Sequence, residues 1–336
     1  MRRAVGRSVL LRAGQYLVVL LVAVVVNFVL PRLAPGNPVD YLLGSDSSSL
    51  TLAQRAALTT GYGLDGSLVE QFIRYLGRLG QGDLGLSIRQ SRPVIQVIGE
   101  RVPWTLALLV SALVLGTAIG VGTGVLAAAR RGRRSDVVLT AGMLTVGSLP
   151  GFWTGLVLIG VFAAGLGWFP SYGAVPAAGL SPGIAGIGQI AHRLVLPVLT
   201  VTLASVGETF LLARGAIVSA LDHPYVRLAE AKGVPPRRVL LRHALPNALL
   251  PIATRVTLLL GLLVSGAVVV EGVFSYPGLG QLIYQSVLAR DYPVLQGAFL
   301  LVTLVVVATN LLADLAYPLL DPRVERATSR PLVPGE

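Results

Sequence analysis

Apolar runs alternate with polar, arginine-containing intervals along almost the whole chain. A transmembrane helix needs about 20 predominantly apolar residues, and polar breaks mark where one helix ends and the next begins. On this basis we expect six membrane-spanning helices, at about 17–30, 104–129, 137–164, 194–220, 252–273 and 294–320. The pattern predicts an all-α, polytopic membrane protein with six transmembrane helices.

The second of these runs carries regularly spaced glycines, and the third is interrupted. Gly116, Gly120 and Gly124 lie on one helical face, where small residues let two helix backbones approach closely. Pro150 and Gly151 break the third run, so the freed backbone groups are expected to face protein rather than lipid. Both features predict tight packing between helices of the same bundle.

A long polar interval between the first two spans predicts a separate subdomain. Loops of this length cross the membrane largely regardless of their charge. Apolar residues at helical spacing from Ser67 to Leu79, and a shorter candidate from Thr51 to Leu58, predict that the interval is helical. The predicted organisation is a cytoplasmic N-terminus and first transmembrane helix at 1–33, a small helical extracytoplasmic subdomain at 34–102, a five-helix core at 103–320 containing a cytoplasmic loop at 221–251, and a cytoplasmic tail at 321–336.

Composition agrees with a membrane protein and narrows the function. Hydrophobic residues make up 54% of the chain and charged residues 13%, whereas soluble domains carry about 25% charge. The formal net charge of +11 comes largely from arginines in short loops, and Arg130, Arg131, Arg133 and Arg134 form the strongest cluster. Because positive charge in short loops marks the cytoplasmic side, we expect both termini in the cytoplasm and no binding to nucleic acid.

The longest polar interval in the second half of the chain runs from Asp222 to Pro251. Asp222 suits an N-cap, Gly233 suits the left-handed residue after a helix end, and Pro235-Pro236 suit the start of another helix. The interval is predicted to form two short, basic, amphipathic helices on the cytoplasmic surface. One interpretation is a positively charged loop that only fixes topology and touches anionic headgroups.

A second interpretation comes from a spaced motif within this loop. From Gly233 to Leu245-Pro246 the order of residues resembles the EAA loop of permease subunits in binding-protein-dependent ABC importers, where a short helix docks into a groove on the ATPase. Arg227 and Leu228 stand where that family has Glu and its first Ala, and only Ala229 agrees. The resemblance implies a role in ATPase coupling for Asp222, Tyr225, Arg227, Ala229, Glu230, Lys232, Gly233, Leu245 and Pro246.

Other stretches extend the resemblance to the dipeptide, oligopeptide and nickel branch of that family, and to the permease of each pair with the long periplasmic loop. They occur in the family's order between Pro35 and Arg323, and Tyr276 replaces a usual tryptophan. The matching stretches are Pro35-Gly36-Asn37-Pro38, Gly63-Leu64-Asp65, Gly82-Asp83-Leu84-Gly85, Phe274-Ser275-Tyr276-Pro277-Gly278-Leu279-Gly280 and Arg290-Asp291-Tyr292-Pro293-Val294. The resemblance implies contact with a binding protein at Asp83, Arg290 and Asp291.

Five charged residues fall within or near the predicted spans: Glu208, Arg214, Arg255, Glu271 and Asp314. A charge at a helix centre costs about 2.5–3.5 kcal/mol on insertion scales, so each should face a cavity, a partner or the bundle interior. Arg214 and Arg255 lie near helix ends and suit structural ion pairs or snorkelling. We expect the translocation path or its gate to involve Glu271, Phe274, Tyr276 and Asp314.

The resemblance also implies an assembly in the plasma (inner) membrane of a prokaryote. Its expected members are a second homologous permease, two ATP-binding subunits or domains and an extracytoplasmic solute-binding protein. The lipid bilayer is expected to surround the permeases. ATP and magnesium would be bound by the partner ATPases, since the only lysine, Lys232, lies outside any phosphate-loop pattern. No enzyme activity, catalytic residue or metal site is expected, because His192, His223 and His243 lack metal-ligand spacing.

The expected function is half of the translocation path for short peptides, dipeptides or oligopeptides, in an ATP-driven importer. Import of nickel or glutathione by the same family is an alternative, because selectivity lies largely in the binding protein. An ion-gradient-driven secondary transporter is a rival from another class, but such folds tend to contain paired broken helices and midplane ionisable relays. A scaffold that only recruits a soluble enzyme would produce no solute flux.

Overall fold

The computed structural model describes residues 2–33, 51, 59–61, 64–249, 252–253 and 267–320. For residues 2–13, 31 and 313–320 the description covers the backbone alone. The predicted helix at Thr51 to Leu58, most of the predicted fifth span and the predicted tail lie outside these residues. So do Arg255 and the side chain of Asp314.

Long helices dominate the described part of the chain, which contains no β-strand beyond an isolated bridge between Leu86 and Pro93. The prediction of an all-α fold is confirmed for these residues. The helices are α1 (Arg2–Leu33), α2 (Leu68–Gly80), α3 (Val94–Ala129), α4 (Arg134–Gly147), α5 (Gly151–Leu158, continued by a π-helical turn at Ile159–Gly165), α6 (Ile184–Leu221), α7 (Pro224–Ala231), α8 (Pro236–Val239, continued by a π-helical turn at Leu240–Ala244), α9 (Leu279–Leu288) and α10 (Tyr292–Leu320).

Three described helices are long and apolar enough to cross a membrane: α3, α6 and the part of α10 that ends at Leu312. A fourth candidate is α4 together with α5, which are bent by 94° at the break between them. The break lies at the predicted position, and Gly14–Leu30 within α1 forms a shorter apolar helix. The prediction of a multi-pass membrane protein is therefore confirmed.

Local sequence signals explain several helix ends. Ser67 accepts a hydrogen bond from the Glu70 backbone N–H, and the Glu70 carboxylate accepts one from the Ser67 N–H, so the two residues form a capping box at the start of α2. The helix predicted at 67–79 is thus confirmed at Leu68–Gly80. Pro150 precedes α5 with an extended backbone and ends the ladder of the preceding helix.

The chain divides into two compact units. Unit one comprises Met1–Leu106 and Ser275–Val307, and unit two comprises Ala107–Phe274 and Ala308–Glu336. The residues predicted as a subdomain at 34–102 therefore share a unit with a later part of the chain. In unit one, apolar side chains from the start of α3, from α9 and from the start of α10 form one core, which includes Val94, Val97, Ile98, Leu282 and Val294.

In unit two, α6 is the central helix, and α3, α4 and α5 pack against it. A Cβ atom added to Gly120 would lie 2.8 Å from Thr209 Cβ, and one added to Gly124 would lie 2.8 Å from Ala213 Cβ. Gly147, at the end of α4, approaches Gly207 of α6 equally closely, with 3.0 Å between its added Cβ and the Gly207 Cα. The predicted close packing of the glycine face is confirmed, and the neighbour is α6.

This packing predicts that Gly120→Val destabilises the protein more than Gly122→Val does. Overpacking typically costs about 1–3 kcal/mol, and nothing lies within 4 Å of a Cβ at Gly122. Both variants place the same β-branched residue in the same helix, so their difference isolates the contact. Thermal unfolding in a mild detergent measures it, and equal midpoints would contradict the packing.

Candidate functional site

The predicted loop between the fourth and fifth spans contains the short helix α7 at Pro224–Ala231. Asp222 is not its N-cap, which corrects the sequence prediction. The N-cap is His223, and Asp222 is the C-cap of the long helix α6. The Asp222 carboxylate instead accepts two hydrogen bonds, each of 3.1 Å, from Arg131, in the loop after α3.

The turn after α7 has the predicted left-handed glycine. Gly233 has a φ of +78°, and its N–H donates to the Glu230 carbonyl at 2.9 Å. Nothing lies within 4 Å of a Cβ added there, so the requirement for glycine is a requirement of backbone conformation. Pro235 and Pro236 then open α8, as predicted.

One side of α7 is buried against the following helix. Val226 and Ala229 pack with Val239 of α8, and Leu221 and Val234 cover the edges of this cluster. These apolar contacts therefore hold α7 against the other residues of the same loop. Of the residues predicted to contact an ATPase, Ala229 lies in this buried cluster, and Leu245 packs against another that contains Ile217 and Ala248.

The opposite side of α7 is exposed and mixes apolar with charged groups. Tyr225 and Leu228 expose their side chains here despite being large and partly or wholly apolar. The other predicted coupling residues on the exposed surface are Asp222, Arg227, Glu230, Lys232, Gly233 and Pro246. The structure thus brings most of the predicted set onto one continuous loop.

Asn247 connects this loop to the segment that follows it. Its side-chain amide donates to the Tyr225 hydroxyl at 2.9 Å and to the His243 carbonyl at 2.8 Å. No motif in the sequence indicated a role for Asn247. A single polar residue in an apolar stretch was the only signal for it, and its partner Tyr225 is 22 positions away.

A partly buried ion pair joins α4 to α6, and its carboxylate also binds the loop before α4. Arg214 donates to both carboxylate oxygens of Asp136, at 2.7 Å each, and the Gly132 N–H donates to the same carboxylate at 3.1 Å. The structural pairing considered for Arg214 is confirmed. Asp136 was not singled out from the sequence, although it is an isolated acid just after the arginine cluster.

The residues predicted for the translocation path are mostly buried within this chain. Glu271 and Phe274 lie in the interior of unit two, where the Phe274 carbonyl accepts a 2.9 Å hydrogen bond from the Gly173 N–H. Tyr276 lies in the interior of unit one, with its ring edge-on to Trp104. Glu208, by contrast, is exposed on α6. A role for Glu271, Phe274, Tyr276 and Asp314 in the path stays a prediction.

The three residues predicted to contact a binding protein lie in unit one. Asp83 is exposed, and its carboxylate accepts a 2.8 Å hydrogen bond from the Gly85 N–H. Arg290 is half-buried with a φ of +53°. Asp291 is only 1% exposed and accepts hydrogen bonds from the Ser87 hydroxyl at 2.5 Å and the Ile88 N–H at 3.0 Å. The structure gives Asp291 an interior role, and contact with a binding protein stays a prediction.

Long apolar helices joined by basic loops, one of which presents a short exposed helix, define a multi-pass helical membrane protein. Residues 120–326 match the family model described as "Binding-protein-dependent transport system inner membrane component". The chain belongs to this family, and the resemblance drawn from its motifs is confirmed. It is therefore a membrane transport component rather than an enzyme.

Curated relatives match nearly the full length of the chain. The oligopeptide transport system permease protein AppB of Bacillus subtilis (strain 168) is 35% identical over 308 residues, which cover 91% of this chain and 95% of AppB. The di/tripeptide transport system permease protein DppB of Pseudomonas aeruginosa (strain UCBPP-PA14) is 35% identical over 312 residues, covering 89% and 92% respectively. A putative peptide transport system permease protein of Brucella suis biovar 1 (strain 1330) is 37% identical over 317 residues, covering 94% and 98%.

A solved structure shares the fold. A chain of the MetNI methionine ABC transporter in inward-facing conformations superposes with a TM-score of 0.54 at 20% identity, covering 72% of this chain and all of that one. Family membership implies a binding protein and an ATPase as partners and an inner-membrane location.

The ion pairs of unit two predict unequal effects of two arginine substitutions. Arg214→Leu leaves the Asp136 carboxylate, whose side chain is only 5% exposed, without its arginine and is expected to lower the stability more than the second substitution does. Arg131→Leu removes an ion pair whose two side chains are more than half exposed and should cost about 1 kcal/mol or less. Thermal unfolding of the purified variants compares the two, and a larger loss at Arg131 would contradict this assignment.

Proposed function

We propose that this chain is one of two homologous permease subunits in an ATP-driven importer of short peptides. The observation that carries the proposal is similarity along nearly the whole chain to permeases named for oligopeptide and di/tripeptide transport. ATP and magnesium are then bound by two ATPase subunits or domains, and an extracytoplasmic protein delivers the peptide.

The proposed topology has six spans, with both termini and the loop at 221–251 in the cytoplasm. The ion pair between Arg131 and Asp222 supports a common side for two loops, because it joins the residues that follow α3 to the end of α6. The loop after α3 holds the arginine cluster, which favours the cytoplasm. The subdomain predicted at 34–102 then lies outside the cell membrane.

In this proposal α7 docks into a groove on the ATPase. Its exposed side offers Tyr225 and Leu228 for apolar contact, with Arg227 and Lys232 beside them for acidic partners. Because its other side is packed on α8, a push on α7 moves α7 and α8 together. Gly233 sets the turn between them, and Leu245-Pro246 form the junction to the fifth span.

The path for the peptide is proposed to lie between this chain and the second permease. Glu208 supports such an arrangement, since an exposed charge within a long apolar helix is expected to face water or protein rather than lipid. Glu271, Phe274, Tyr276 and Asp314 are proposed to line or gate that path. Asp83, Arg290 and Asp291 are proposed to lie near the docked binding protein.

The experiment that tests the proposal is purification of the chain from its native membrane in a gentle detergent, followed by mass spectrometry. We expect an ATPase and a second six-span permease in the complex, and ATP-dependent peptide uptake after reconstitution with the binding protein. Uptake driven by an ion gradient without ATP would establish a secondary transporter instead. ATP-dependent uptake of nickel or glutathione in place of peptides would reassign the substrate within the same family.

A substitution at Gly233 tests the coupling role of the loop. A left-handed conformation costs a non-glycine residue about 1–2 kcal/mol, and Asn tolerates it better than a β-branched residue. Gly233→Val is therefore expected to lower ATP-dependent uptake roughly tenfold, whereas Gly233→Asn retains most of it. Measured uptake and the amount of ATPase that copurifies report the effect, and normal uptake by the valine variant would contradict the coupling role.

A further inference from the structure

Unit one contains a polar cleft of which only Asp83 has a place in the proposed function. It lies between the end of α1, the helix α2, the turn that precedes Leu86 and the start of α10. Basic and polar side chains contributed by all of these segments line it. The charged and polar lining residues considered for binding are Arg32, Arg74, Tyr75, Arg78, Asp83 and Gln296.

Two of the three arginines in the cleft have no carboxylate partner among the described residues. Arg74 is paired with Asp65 at 2.9 Å. The Arg32 guanidinium stacks 3.7 Å from the centroid of the Phe28 ring and donates to the Gln71 side chain at 3.1 Å, so its contacts are with neutral groups. Arg78 is exposed and forms no side-chain hydrogen bond or ion pair within the described ranges. The cleft therefore carries positive charge that this part of the chain does not neutralise.

Two buried polar atoms in the lining also lack partners within the described part of the chain. Gln296 is only 7% exposed, and its side-chain nitrogen makes no hydrogen bond there. The Tyr75 hydroxyl is likewise buried and unbonded. Burial raises the pKa of Tyr75, so its hydroxyl keeps the proton that it can donate. A buried donor without an acceptor destabilises the folded protein, and an incoming acceptor would relieve that cost.

We propose that this cleft binds a carboxylate group. The two guanidiniums, the Tyr75 hydroxyl and the Gln296 amide nitrogen are all hydrogen-bond donors, and an ionised carboxylate only accepts. Arginine binds carboxylates through paired N–H groups with matching geometry. Asp83 adds one negative charge to the lining, which favours a singly charged carboxylate over a doubly charged phosphate.

A carboxylate can reach this cleft from two sources: the free C-terminus of a peptide, or an acidic side chain of the binding protein. The inference rests on the proposed function in one respect, since the proposed extracytoplasmic placement of residues 34–102 exposes the cleft to both sources. The chemistry required of the cleft is the same in either case. The test below separates them.

The experiment measures how fast p-hydroxyphenylglyoxal modifies Arg78 in the full chain, purified with the partners it retains and held in phosphatidylcholine nanodiscs. Mass spectrometry quantifies the modified peptide. Sodium acetate is expected to slow the modification relative to sodium chloride at equal ionic strength. Arg237, an exposed residue of α8, is the internal control and should react at the same rate throughout.

Trialanine and trialanine amide distinguish the two sources. Protection of Arg78 by trialanine and not by its amide assigns the cleft to a peptide C-terminus. Protection by the binding protein, lost after its carboxyl groups are amidated, with none by trialanine beyond that of acetate, assigns it to an acidic side chain. Equal protection by trialanine and its amide, stronger protection by phosphate than by acetate, or no protection by any probe would overturn the proposal.

Two variants test the buried donors. Tyr75→Phe and Gln296→Leu are each expected to raise the acetate concentration needed for half-protection about tenfold, as for loss of one hydrogen bond to a charged group. Tyr284→Phe removes a hydroxyl from the exposed surface of α9 and is the matched control. Unchanged protection in both cleft variants would overturn the proposal, even if their thermal stability differed from that of the wild type.

Failure of this inference is distinguishable from failure of the proposed function. The modification assay requires neither ATP nor transport, so a chain that copurifies with an ATPase and imports peptides but shows no protection rejects the cleft alone. A chain that shows carboxylate-dependent protection but drives no ATP-dependent uptake rejects the importer alone.

Discussion

Close approach of α6 to its neighbours is the constraint on which unit two depends. A glycine leaves no side chain at a helix contact, so the two helix backbones can approach closely. In a bilayer, this close packing stabilises the helix pair in place of the hydrophobic driving force available in water. Gly120 and Gly124 provide the surface on α3, and Gly147 and Gly207 provide the second contact between α4 and α6. Because α6 is shared by both contacts, α3 and α4 both pack closely against the helix that leads into α7.

Ion pairs then connect the second half of α6 to the loop after α3. Asp136 neutralises Arg214 and also accepts a hydrogen bond from the loop backbone, so the loop after α3 is held by a buried group rather than by surface contacts. The exposed pair of Arg131 with Asp222 lies beside it and contributes less. The loop that carries the arginine cluster is thus tied to α6 by one partly buried and one exposed ion pair.

Features set by neighbouring residues were predictable from the sequence, and those set by distant residues were not. The left-handed Gly233, the helix at Leu68–Gly80 and the glycine face of α3 depend on local conformation or spacing. The pair of Asp136 with Arg214 joins residues 78 positions apart, and nothing local indicates it. Asp222 was misassigned as an N-cap because α6 continues to Leu221, which leaves the carboxylate free for Arg131.

The two sides of α7 separate the stability of the loop from the choice of its partner. Val226 and Ala229 hold the helix in place, while Arg227 and Leu228 face outward and support no part of the described core. If α7 docks on the ATPase as proposed, substitutions at Arg227 and Leu228 are expected to leave the fold intact and to change what the helix recognises. With that docking, a duplicated copy of this subunit would be free to diverge toward a different ATPase through a handful of surface changes, without first acquiring compensating changes in its interior.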